Sequence, residues 1–131
     1  MEWYLKVMKN HYADFNGRAR RKEYWMFGLI YMVVILLAIF LDNVLGLKFN
    51  IEGLDIPYGY LYGLTALIHL IPSFAVTVRR FHDCDKSGWL LLLLFIPLVN
   101  LIGCFVFLYY MLKAGTSGDN RFGSDPKEIE K

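Results

Sequence analysis

Cysteine and proline are scarce, with two and four among 131 residues, and charged side chains make up only 20 % of the chain. Two cysteines cannot staple a small secreted domain, and four prolines beside eleven glycines exclude a collagen-like fibre. So little charge, set against 56 % apolar residues, excludes a disordered chain and a charge-rich coiled coil. An excess of one sign is also missing. Fourteen basic residues against twelve acidic ones leave +2, which says little about partners.

The decisive absence is local. No Asp, Glu, Lys or Arg occurs in Trp25–Leu41, Ile56–Val78 or Ser87–Leu112, runs of 17, 23 and 26 residues that make up half the chain. Crossing a hydrocarbon core of about 30 Å takes about 20 apolar helical residues. Each run is long enough to cross once, the first by extending past Asp42 to Leu45. The expected fold is therefore all-α: a single integral membrane domain over residues 1–131, with three transmembrane helices at about 25–45, 57–78 and 88–112. An interfacial helix precedes them and a polar tail, 113–131, follows. The first run starts only after 24 residues and lacks a small-x-small cleavage site behind it, so it is expected to remain as a span.

With three spans, nine Lys/Arg lie on the side of the N-terminus and second loop, and five on the other. The positive-inside rule puts the N-terminus in the cytoplasm. The tail's four basic residues pull the other way. A re-entrant hairpin turning at Pro97–Asn100 would return them, but its backbone needs shelter that two spans scarcely offer. A single crossing with a periplasmic tail is the expectation. Cys84 in the second loop and Cys104 inside the third span then lie at different depths and stay reduced.

Tyr4, Leu5, Met8 and Tyr12 recur at helical spacing, with Lys6 and Lys9 off the stripe, as in a helix lying in the interface. Tyr24 and Trp25 suit the aromatic belt. Gly59, Gly63 and Ala66 form a small-residue face expected to pack closely on another helix. His69 flanks that face and is expected to be neutral and bundle-facing. Pro72 frees carbonyls of the preceding turn for His69, Ser73 or water. Pro97 and Asn100 mark a kink or break in the third run.

No catalytic residue, metal site or cofactor is expected. His82, Asp83, Cys84 and Asp85 are consecutive, whereas metal ligands are spaced by two to five residues. Ser87, His82 and Asp83 lack any recognisable oxyanion hole. The tail has no GxxxxGK, so its glycines describe turns. The cluster Arg18–Lys22 runs straight into a span, which makes anionic lipid its nearer partner than nucleic acid. Arg18, Arg21, Arg79 and Arg80 are candidates for holding an anion or lipid headgroup, because guanidinium binds phosphate bidentately. Glu23, His82, Asp83, Asn120 and Arg121 are candidates for a polar network, and Arg79, Arg80 and Asp83 are expected to join Arg18–Glu23 in one.

Three ordered motifs span the chain. They are Phe15-x-Gly17-Arg18-Ala19-Arg20-Arg21-x-Glu23-Tyr24-Trp25, then Arg79-Arg80-x-His82-Asp83 with Ser87-Gly88-Trp89, then Gly115-Thr116-x-Gly118-x-Asn120-Arg121-Phe122-Gly123-x-Asp125-Pro126. Together they resemble the signature of domain-of-unknown-function family 805, small bacterial inner-membrane proteins. Ala114 stands where that family more often has proline. The resemblance implies a multi-pass protein of the bacterial plasma membrane and no activity, substrate or cofactor. The functional expectation is a non-enzymatic component that binds lipid headgroups or a partner membrane protein. A small oligomeric transporter or channel using His69, Pro72, Pro97 and Asn100 is the alternative, and a lipid-acting membrane enzyme ranks third.

Overall fold

The computed structural model describes residues 1–128; the last part of the tail, 129–131 with Lys131, lies outside the described residues. Helix α1 (Glu2–Leu5) continues into a π-helical turn, Lys6–Asn10, and helix α2 spans Arg21–Leu45. Strands β1 (Lys48–Ile51) and β2 (Leu54–Gly59) form an antiparallel hairpin that leads into helix α3, Tyr60–Asp83. A 3-10 stretch, Gly88–Phe95, and helix α4, Val99–Leu112, complete the helices and strands of the described residues.

Helices α2 and α3 are long and apolar enough to cross a membrane. At 25 and 24 residues they measure roughly 36–38 Å at 1.5 Å per residue. They pack antiparallel, so the α2 N-terminus and the α3 C-terminus share one end, the polar end, and the β-hairpin closes the other. Val7, Ala19, Phe27 and Val76 are the buried contact beneath the polar end, with Tyr4, Met8 and Tyr24 packed on it.

The third apolar run departs from the expected single crossing. It folds as a hairpin: the 3-10 stretch runs out, turns at Ile96–Leu98, and α4 returns. Both of its ends sit at the polar end. Gly88 lies against Val78, while Arg80 donates to the Lys113 carbonyl and the Cys84 thiol to the Tyr110 carbonyl. Leu98 at the tip has φ +69°, a conformation that stops a helix from continuing, and Pro97 has no N–H to give one. The 14 residues of α4 measure about 21 Å, short of a 30 Å core. The tail therefore lies at the end where the chain begins.

Other expectations need correction. Residues 48–59, expected as the loop between the first two spans and the start of the second at about 57, form a β-hairpin turning at Glu52-Gly53, with Gly53 at φ +84°. The N-terminal helix packs on protein: Val7 is fully buried, while Leu5 of the expected stripe is exposed. Within the expected Gly59/Gly63/Ala66 face the close approach is at Gly59, against the last turn of α2. Gly59 precedes α3, and a Cβ there would strike the Leu47 carbonyl and lie 2.6 Å from the Asp42 Cγ. A Cβ on Gly63 would meet only the Phe49 ring at 3.6 Å, an ordinary contact. Gly63→Ala is accordingly expected to change thermal unfolding in detergent by less than about 1 kcal/mol, since nothing has to move. The carbonyl freed by Pro72 is that of Ile68, and its partner is the Tyr12 hydroxyl at 2.6 Å, from outside the helix.

Asp42 explains how α3 begins. The first N–H groups of a helix lack intrahelical partners, and a membrane offers them no water. Tyr60 N–H donates to the Leu47 carbonyl, Leu61 N–H to Asp42 Oδ1 at 3.0 Å and Tyr62 N–H to Asp42 Oδ2 at 2.9 Å. A carboxylate in the last turn of α2, itself fully buried, thus caps α3.

Candidate functional site

All three motif segments meet at the polar end. The residues before α2 bring Arg18 there, the last turn of α3 brings Arg79, Arg80 and Asp83, and the return of α4 brings the tail. Asp83 holds the centre. Its Oδ1 accepts from Arg18 Nε at 3.0 Å and its Oδ2 from Arg80 Nη1 at 2.6 Å. Its backbone carbonyl accepts from Thr116 N–H at 2.7 Å. Arg18 also donates to the carbonyls of Gly118 at 2.7 Å and Thr116 at 2.5 Å. Gly115 is required here, because a Cβ would land on the Asp83 carboxylate.

A second pair lies beside it, Arg79 Nη1 on Glu23 Oε1 at 2.5 Å, with Lys6 Nζ 3.8 Å from Glu23 Oε2. Ala19 N–H donates to the Arg79 carbonyl at 2.9 Å, tying the start of α2 to the end of α3. Arg79, Arg80, Glu23 and Asp83 are each exposed by 2 % or less, and Arg18 by 8 %. Buried charges are tolerated when paired and hydrogen-bonded. These guanidinium groups are turned inward, and an anionic headgroup would have to displace Glu23 or Asp83 to reach Arg79 or Arg80.

The two adjacent arginines are not equivalent. Arg80 spans Asp83 and the Lys113 carbonyl. Arg79 reaches Glu23 through Nη1, and its Nε and Nη2 have no hydrogen-bond partner among the described residues. Lysine is a single point of charge and cannot make the two-ended contact. Arg80→Lys is therefore expected to lower the unfolding temperature clearly more than Arg79→Lys, read by thermal denaturation in detergent.

The remaining candidates sit around this centre. His82 stacks on Phe122 with ring centroids 3.9 Å apart, and its Nδ1 donates to the Gly17 carbonyl at 3.0 Å. Asn120 donates to the His82 carbonyl at 2.9 Å, and Arg121 pairs with Asp85 at 3.2 Å on the surface. Asp125 accepts from Gly118 N–H and Lys127 N–H, and these bonds hold its carboxyl below the usual range. Arg21 is exposed, donating to the Leu112 carbonyl at 3.1 Å, and Trp25 Nε1 donates to the Met111 carbonyl at 3.0 Å.

His69 and Asn100 are not brought into hydrogen-bond contact. His69 Nδ1 faces the Thr65 carbonyl at 2.8 Å, which only accepts, so Nδ1 carries the proton and Nε2 accepts from the Tyr4 hydroxyl at 2.7 Å. Tyr31 stacks on the same ring at 4.4 Å. Asn100 lies in the first turn of α4, its backbone N–H on the Ile96 carbonyl. Among the described residues no group of three or more metal-ligating side chains forms a site. Cys84 is buried, and burial pushes its thiol up, so it is expected to resist maleimide at neutral pH while the exposed Cys104 reacts in detergent.

Sequence reasoning missed Asp42, Tyr4 and Gly115. Asp42 carried a signal, a carboxylate inside an otherwise apolar run, which a membrane segment admits only for a reason. Gly115 carried none beyond its place in a motif.

Two helices long and apolar enough to cross a membrane, a β-hairpin at one end and a shorter helical hairpin beneath a paired cluster of charges at the other fit a small helical membrane protein. The family described as "Protein of unknown function (DUF805)" matches residues 12–124, and the chain belongs to it. It is 48 % identical over 127 residues to the "Inner membrane protein YhaI" of Escherichia coli (strain K12), covering 97 % of each chain. It is 44 % identical over 127 residues to the "Inner membrane protein YhaH" of the same strain, covering 97 % of this chain and 98 % of that one. No solved structure matches. The relatives are inner-membrane proteins, and the family carries no enzymatic name.

Proposed function

We propose that the protein is a non-enzymatic component of the bacterial inner membrane whose polar end faces the cytoplasm and binds anionic lipid headgroups. The observation that carries this reading is a division among the cations. Arg18, Arg79 and Arg80 are consumed internally by carboxylates and carbonyls. Arg21 and Lys22 are displayed on the rim, where with Trp25, Met26 and Leu112 they line a groove of about 490 Å³. Lys6, Arg20 and Lys22 surround the nearby Trp3 ring at 5.3–5.4 Å. Each cation near an anionic leaflet contributes about 1 kcal/mol. The orientation draws support from the tail's return: among the described residues twelve Lys/Arg lie at the polar end and Lys48 alone at the other.

Reconstitution tests the binding. In nanodiscs formed from mixed phosphatidylglycerol and phosphatidylcholine, the full chain should enrich phosphatidylglycerol over empty discs, and Arg21→Gln with Lys22→Gln should remove most of that enrichment. Equal lipid composition with and without protein would overturn the reading, and a stable protein partner displacing lipid would point to the polar end as a docking site instead. For orientation, Ser124→Cys in a chain lacking Cys84 and Cys104 is expected to react with an impermeant thiol reagent only after spheroplast lysis.

A further inference from the structure

Below the Arg21/Lys22 groove, α2 and α3 diverge and leave a cleft of about 380 Å³. Its walls are Trp25, Gly28, Leu29 and Met32 of α2 and Ser73 and Thr77 of α3. The N-terminal segment packs across the α2–α3 junction through Tyr4 and Val7, and α4 bonds α2 at Arg21 and Trp25. The cleft is of the size of a small-ligand site and overwhelmingly apolar. A Cβ on Gly28 would meet nothing within 4 Å, so the glycine is part of the open space and not of a packed contact.

We propose that this cleft seats one acyl chain of a single anionic phospholipid whose phosphate is held by Arg21 and Lys22. The inference rests on the headgroup reading above and adds a defined, one-per-chain ligand to it. Three observations choose this occupant. The groove and the cleft are adjacent, with Trp25 lining both. Arg21, Trp25, Gly28 and Met32 follow one another at helical spacing on a single face, which puts Gly28 about 10 Å deeper than Arg21. That separation carries a chain from the headgroup layer into the hydrocarbon. A neighbouring helix is 10–12 Å across and cannot enter a gap of this volume. A second copy related by a twofold axis along the membrane normal would bring its own Arg21 and Lys22 to the same depth, setting like charges together. An acyl chain is thin and flexible enough to fill the gap, and the paired cations above it match a phosphate.

Native mass spectrometry of the full chain, released from detergent with added phosphatidylglycerol or phosphatidylcholine, tests this. One phosphatidylglycerol per chain should survive activation that strips phosphatidylcholine. Gly28→Phe, which fills the cleft, should lower that occupancy at least about tenfold, while the enrichment of phosphatidylglycerol in nanodiscs persists. Arg21→Gln with Lys22→Gln should abolish both. Should Gly28→Phe unfold at a lower temperature than the parent, Met32→Phe fills the cleft one turn further along the same wall and decides. Retention of lipid by the plugged variants overturns the seat but leaves the headgroup reading standing. Loss of nanodisc enrichment in the parent overturns both. A lipid-free dimer mass that Gly28→Phe dissociates would assign the cleft to a second copy.

Discussion

Asp83→Ala is expected to cost about 3–5 kcal/mol of unfolding free energy, the range for breaking a buried ion pair by removing one partner. Arg18 and Arg80 would keep their charges with no carboxylate between them, at a place where Asp83 and Arg80 are exposed by 1 % or less. Their carbonyl contacts to Thr116, Gly118 and Lys113 would remain but cannot offset charge. Asp83→Asn retains acceptor oxygen and is expected to fall between parent and alanine variant. Asp85→Ala supplies the contrast. Its pair with Arg121 has side chains 46 % and 62 % exposed, and exposed pairs contribute under about 1 kcal/mol. Thermal or denaturant unfolding in detergent separates the cases. Equal stability of Asp83→Ala and Asp85→Ala would show that the cluster is not the structural centre of the polar end.

The other large effect is expected at the opposite end. Asp42→Ala removes the acceptor of two backbone N–H groups at the start of α3, and each orphaned buried donor costs about 1–3 kcal/mol, so the loss is about 2–6 kcal/mol. The carboxylate also faces the positive end of the α3 dipole, which favours negative charge. Asp42→Asn keeps one oxygen and is expected to lose roughly half as much. Hydrogen exchange at Leu61 and Tyr62 reads the cap directly: their amides should become the fastest in the first turns of α3 in the alanine variant and stay protected in the parent.

The two long helices could be read from the sequence because lack of charge over 17 and 23 residues leaves few alternatives to a crossing. The third run could not, although it is the longest. An uncharged stretch specifies that it avoids water, not whether it turns, and the turn depends on Leu98 adopting φ +69° after Pro97. The tail's four basic residues pointed to the return, but the shelter a hairpin needs comes from contacts invisible in sequence, such as Phe74 on Phe95 and Gly103 on Leu93. The charged motifs were visible as charges, and their complementarity suggested a network. Burial was not visible. Arg18, Arg21, Arg79 and Arg80 look alike as candidates for an anion, yet only Arg21 is exposed, and the difference lies in the inward partners, Glu23 for Arg79 and Asp83 with tail carbonyls for Arg18 and Arg80. Lys48–Gly59 passed as loop and span because its alternation is short, while the Glu52-Gly53 turn was the available signal of a hairpin.

The dependence of Arg18 on carbonyls 98 to 105 residues away has a consequence for how the protein is made. Arg18 is synthesised well before Thr116, Gly118 and Gly123, so the polar end cannot close until the tail has been made. Until then Arg18 has Asp83 and no tail. A chain stopped at Lys113 would keep both long helices but lose the carbonyls of Thr116, Gly118 and Gly123 around Arg18, and is expected to populate unfolded states more, read as faster proteolysis in detergent.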